Sequence, residues 1–127
     1  MKVLLIDDQE DVRRIARLGL TSVGGHVVVE ADSGAAGLEK ARAERPDVVL
    51  LDAVMPGLDG VSTLGSLRTD PLTSGIPVVA LSGSALEAEE LLKHGAVGAL
   101  PKPFDPVSLH SQLLAILRPT HPVAKGT

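Results

Sequence analysis

Four times along this chain a short aliphatic run ends abruptly on a polar or charged group, and no other feature restricts the fold as much. Val48-Val49-Leu50-Leu51 stops at Asp52, and Leu4-Leu5-Ile6 stops at Asp7 and Asp8. Val78-Val79-Ala80-Leu81 stops at Ser82, and the segment 97–100 leads into Pro101-Lys102. Apolar runs of this length without alternation read as strands covered on both faces, as in a parallel sheet packed between helices. The segments between them carry helical periodicity, so the chain predicts a β/α-alternating protein of the α/β class.

In order, the pattern predicts strands at 2–6, 26–31, a third ending at Asp52, 78–81 and 97–100. Helices are expected at about 10–23, from Asp32 or Ser33 to 44, 60–68, 86–94 and 106–117. The first should bury Val12, Ile15, Ala16, Gly19, Leu20 and Val23 and turn Arg13, Arg14 and Arg17 to solvent. Gly24-Gly25 should stop it, and Pro106 should open the last helix, where its missing N–H is harmless. Residues 119–127 have no apolar period and are expected to be loose.

At 127 residues and 44% hydrophobic content the chain can fill one core. A net charge of −4 leaves no basic surplus for nucleic acid or an anionic membrane. Absence of cysteine excludes disulfides and thiolate chemistry, and the apolar run before Asp7 is too short for a signal peptide or membrane span. These features together point to a cytoplasmic protein with no membrane insertion and no direct nucleic-acid contact.

Right-handed crossovers bring the carboxyl ends of parallel strands to one rim, where open α/β sheets hold their ligands. Asp7, Asp8, Asp52, Ser82 and Lys102 should therefore converge. Singly, each has a plainer use: an Asp after a strand usually caps a helix or makes a turn, and a lone Lys is usually solvated. Three carboxylates about 5 Å apart repel by roughly 3 kcal/mol per pair at an effective dielectric of 20, so positive charge must sit among them. Lys102 supplies some, and an all-oxygen donor set suits a hard divalent cation such as magnesium. A carboxylate beside a cation and an ammonium can act as a nucleophile toward phosphorus. The histidines show no i, i+4 spacing, which argues against a histidine metal site.

Leu5-Ile6-Asp7-Asp8-Gln9, the run from Leu51 through Asp52-Ala53-Val54-Met55-Pro56 to Gly60, Val79-Ala80-Leu81-Ser82-Gly83-Ser84-Ala85 and Gly98-Ala99-Leu100-Pro101-Lys102-Pro103-Phe104 stand in order. Together they resemble the receiver domain of two-component response regulators, of the chemotaxis-regulator type. The resemblance implies a flavodoxin-like, doubly wound sheet of five parallel strands in the order 2-1-3-4-5 with five helices, the receiver occupying residues 1–118 and a tail or linker start 119–127. It implies that Asp52 accepts a phosphoryl group from a histidine kinase or histidine phosphotransfer protein, with Ser82 and Lys102 binding that group. Asp7, Asp8, Asp52 and the backbone carbonyl of Val54 would hold magnesium, or manganese in its place. It also implies a cis peptide between Lys102 and Pro103, and no enzymatic activity beyond the domain's own phosphorylation and dephosphorylation.

Two departures from the family pattern matter. Ala99 stands where the family usually has an aromatic ring that turns inward on activation, and the last helix lacks the charged pairs through which transcription-factor receivers dimerise. Leu18 could join Ile15 in a kinase-facing patch. Phosphorylation is expected to alter docking to a downstream protein. The alternatives are a docking module that is never phosphorylated and a haloacid-dehalogenase-like phosphatase, whose second acid would fall at Val54.

Overall fold

The computed structural model describes residues 1–57 and 59–118. Five parallel strands, β1 (Lys2–Ile6), β2 (Val27–Ala31), β3 (Val48–Asp52), β4 (Val78–Ser82) and β5 (Gly98–Pro101), form one sheet in the order β2-β1-β3-β4-β5. They alternate with α1 (Glu10–Leu18), α2 (Gly34–Glu44), α3 (Gly60–Thr69), α4 (Ala85–Lys93) and α5 (Leu109–Leu117). The flavodoxin-like order expected from the resemblance is the observed one. Residues 119–127, expected to be a loose tail or linker start, and Leu58 within the second motif lie outside the described residues. Among the described residues no helix is long and apolar enough to cross a membrane.

The unbroken aliphatic runs are explained by two cores, one on each side of the sheet. Leu4, Ile6, Val49, Leu51, Val78 and Ala80 face α2, α3 and α4, where Ala41, Leu64, Leu67 and Leu91 meet them. Val3, Leu5, Val48, Leu50, Val79 and Leu81 face the other way, against Ala16, Leu20, Leu109 and Leu113. Alternate residues of each strand therefore enter opposite cores, and every position of β3 and β4 is buried. Each such aliphatic side chain contributes about 1.5–3 kcal/mol relative to exposure. Phe104, the single aromatic residue, packs half-buried against the second core.

Several helix boundaries differ from the sequence reading. The first helix does not run unbroken to residue 23: at Gly19 it widens into a π-helical turn (Gly19–Val23), closed by the Gly24 amide donating to the Gly19 carbonyl. A Cβ on Gly19 would stand 2.4 Å from the Pro106 carbonyl oxygen, so the glycine lets the segment before α5 approach the backbone here. Ile15 and Val23, expected to be buried, are exposed. Arg13, expected in solvent, folds inward and donates to Glu30 at 3.1 Å. The last helix starts at Leu109, three residues later than expected, because Pro106 lies in a turn that precedes it. His26 stands just outside β2, and the α2 cap is Ser33, whose hydroxyl accepts from the Ala36 amide.

Candidate functional site

The last rungs of the ladder set the polar residues at one rim. The Asp7 amide donates to the Ala31 carbonyl, the Ala53 amide to Leu81 and the Lys102 amide to Ser82, at 2.8–3.1 Å. Asp7, Asp52, Ser82 and Lys102 thus leave the sheet at the carboxyl ends of neighbouring strands. Carboxylate oxygens of Asp7, Asp8 and Asp52 lie within 4.8 Å of one another. The Lys102 ammonium sits 2.8 Å from Asp7 Oδ2 and 3.1 Å from Asp52 Oδ1. Asp7 and Asp52 are buried, while Asp8 is exposed and opens the cluster to solvent.

Three carboxylates around one ammonium leave an excess of negative charge in a partly desolvated place. Burial pushes the Asp52 carboxyl up to about 6; the charge of Asp7 adds to this, and Lys102 opposes it. Burial alone would lower Lys102, but its short contact with Asp7 and the charges of Asp52 and Asp7 hold it above its usual value. Asp7 Oδ1 accepts from the Gln9 amide at 2.9 Å. Its partner Oδ2, in ionic contact with Lys102, is the buried side-chain oxygen left without a hydrogen bond among the described residues. A buried carboxylate oxygen whose close partner is the Lys102 ammonium, within an all-carboxylate donor set, fits a hard divalent cation, which takes oxygen ligands and keeps waters.

Ser82 ends β4 with its side chain buried. Beside it lies a mainly apolar recess of about 310 Å³, lined by Ser82, Gly83, Ser84, Ala85, Ala88, Ala99 and Pro101. Ala99 leaves that space open where a ring would fill it. The Val54 amide donates to Asp52 Oδ1 at 3.3 Å while its side chain points to solvent. The Lys102–Pro103 peptide is cis, as the resemblance implied.

The sequence reading missed two arrangements. Arg13 donates to the Asp7 backbone carbonyl at 2.8 Å, tying α1 to the site through a residue assigned to the wrong face. His26 and His110 form a hydrogen-bonded pair, Nε2 to Nδ1, at 2.9 Å. Spacing rules look for histidines a few residues apart and carry no signal for a pair joined only by folding. Ile15 and Leu18 are both exposed on α1.

A family model described as response regulator receiver domain matches residues 3–114. The chain is 39% identical over 118 residues to the transcriptional regulatory protein CseB of Streptomyces coelicolor, covering 91% of this chain and 49% of that protein. It is 35% identical over 118 residues to protein PilH of Pseudomonas aeruginosa, covering 91% of this chain and 97% of PilH. The fold is similar to that of chemotaxis protein CheY4 of Vibrio cholerae, with a TM-score of 0.82 and 31% identity over 91% of this chain and 97% of CheY4. The chain spans about half the length of the transcriptional regulators it matches, and nearly all of PilH. With the sheet order, the acidic rim and these matches in agreement, the chain belongs to the response regulator receiver domain family.

Proposed function

We propose that this receiver takes a phosphoryl group onto Asp52 from a histidine kinase or histidine phosphotransfer protein, and that the modified domain docks differently to a downstream protein. The observation that carries the reading is the approach of Lys102, Asp7 and Asp8 to an Asp52 carboxylate that ends the strand between β1 and β4. A carboxylate oxygen of Asp52 attacks phosphorus; the bond from phosphorus to the donor's imidazole nitrogen breaks, and its electron pair stays on that nitrogen, which then takes a proton. Lys102 holds one of the phosphoryl oxygens, and the Ser82 hydroxyl donates to another. Asp7, Asp8, Asp52 and the Val54 carbonyl would hold magnesium, or manganese, which when bound would neutralise charge on the transferring group. Arg13 fixes the backbone of Asp7 from behind.

Val54 is two residues beyond Asp52, so no acid or base stands there to activate water against the aspartyl phosphate. That favours a persistent modification over turnover. The proposed setting is the cytoplasm, with residues 1–118 as the receiver and output through protein contacts, since the net charge of −4 supplies no surface for nucleic acid.

The test is mass spectrometry after incubation with magnesium and acetyl phosphate, where acetate leaves in place of imidazole. An adduct of about 80 Da, absent in Asp52→Asn, is the mass of a phosphoryl group replacing a proton and supports the reading. Sustained phosphate release without an adduct would make the chain a phosphatase. No adduct and no release would make it a docking module only.

A further inference from the structure

Where β1 and β2 begin, at the strand ends opposite Asp52, four nitrogens from three residues stand in a row. The Met1 ammonium is 3.0 Å from His26 Nδ1, and His26 Nε2 is 2.9 Å from His110 Nδ1. His26 is 9% exposed, and the two ring centroids are 4.9 Å apart. Gly24 makes the room: a Cβ there would stand 2.6 Å from His110 Nδ1 and 2.7 Å from His26 Cδ2. The rings therefore pack directly on backbone. His110 belongs to the first turn of α5, so the pair ties that helix to the start of β2.

The chemistry of the row fixes where the protons lie. An ammonium only donates, so His26 Nδ1 must accept. Neutral His26 then carries its proton on Nε2 and donates to His110 Nδ1, and neutral His110 carries its own on Nε2. An added proton has no acceptor facing it. On His26 Nδ1 it meets the ammonium; on His110 Nδ1 it meets the Nε2 proton of His26.

Among the described residues, the other elements packed here bring no compensating charge. The π-helical turn and α5 hold no charged side chain besides His110. Lys2 is turned to Glu44, with its amide held by Asp47, and the Asp105 carboxylate accepts from the Val107 amide. Burial first, then the Met1 ammonium and His110, lower the affinity of His26 for a proton.

We propose that the His26–His110 pair is a proton-sensitive latch, closed when both rings are neutral and opened when the pair takes up a proton, freeing the first turn of α5 from the start of β2. The sign follows from the lowered affinity of His26: the latch contributes fully above 6.5, the value of a free imidazole, and is lost as pH falls below it.

The experiment uses the full chain carrying Asp52→Asn, so that this carboxyl does not titrate in the same interval. Nitrogen-15 spectra follow the rings from about pH 8 to about pH 5, a range that brackets the free imidazole value. Amide exchange follows Leu109 and Gln112, which bond to the Asp105 and Ser108 carbonyls. A second protein adds His26→Gln and His110→Asn, whose amides keep a donor and an acceptor at the same places but do not titrate. We expect both rings as Nε2–H tautomers at the upper pH and His26 titrating below 6.5. Protection at Leu109 and Gln112 should fall severalfold over that same titration, and should hold steady in the Gln/Asn protein. Titration of His26 at or above 6.5, or protection unchanged as it charges, overturns the latch. So does an equal loss of protection in the Gln/Asn protein. If the double substitution unfolds, the ring titration and exchange of the chain retaining both histidines decide alone.

Discussion

Asp52 is the residue on which the site depends, and it occupies its place at a cost to the fold. Its carboxyl, raised from 3.8 to about 6, is held more easily neutral than charged. Such a group contributes stability fully below its unfolded value, and that stability is lost as pH rises through about 6. Without added metal, Asp52→Asn should therefore be more stable than the parent by about 3 kcal/mol at pH 8, since each pKa unit is worth about 1.4 kcal/mol. The gain should shrink toward pH 4, and urea titrations at the two pH values check this. Circular dichroism is the appropriate signal, because the chain has no tryptophan or tyrosine. Asp7, Asp8 and Asp52 were legible in the sequence because each follows an aliphatic run that reads as a buried strand, and Lys102 because it stands at the end of the short, half-buried last strand. Arg13 was not: its inward turn depends on Glu30, a partner from another strand that helical periodicity does not register.

At the scale of elements, the strands were read almost to the residue and the helices less well. Strand limits follow from burial on both faces, which the sequence displays as unbroken hydrophobicity. Helix limits depend on what each end meets. At the break, Gly19 admits the backbone of Pro106, a residue far along the chain, and nothing local in Gly19-Leu20-Thr21 announces that approach. Gly19→Ala should lower stability by about 2 kcal/mol, because the new methyl group meets backbone that cannot rotate away. The measurement is the urea midpoint, and an unchanged midpoint would show that the two segments can separate without cost. The Pro106 reading failed for a related reason. Proline suits a helix start in isolation, but the Asp105 carbonyl takes the Ser108 and Leu109 amides and delays regular helix until Leu109.

For the molecule as a whole, a cation held at the acidic rim as proposed would link its binding to the stability of everything beneath it. A cation that binds the folded chain alone should add about 2.7 kcal/mol at a hundred times its dissociation constant. Magnesium should therefore raise the melting temperature of the parent. It should do so far less in Asp8→Asn, which removes an exposed carboxylate and disturbs little packing. A shift of equal size in both proteins would place the ion elsewhere. Class and site location were legible because they follow from the run pattern and the crossover rule, while the strand order was implied by the resemblance to receiver domains. The His26–His110 pair was not, since its two halves meet only through packing of α5 beside the turn that precedes β2.

One feature of the sheet bears on how the chain is made. β1 lies between β2 and β3, its Val3 opposite both Val28 and Val48. β1 is therefore an interior strand with hydrophobic side chains on both faces, gaining a partner on one side once Ala31 is made and on the other only once Leu51 is. A fusion joined directly to Met1 would abut an interior strand, whereas one joined after Leu117 would follow a helix.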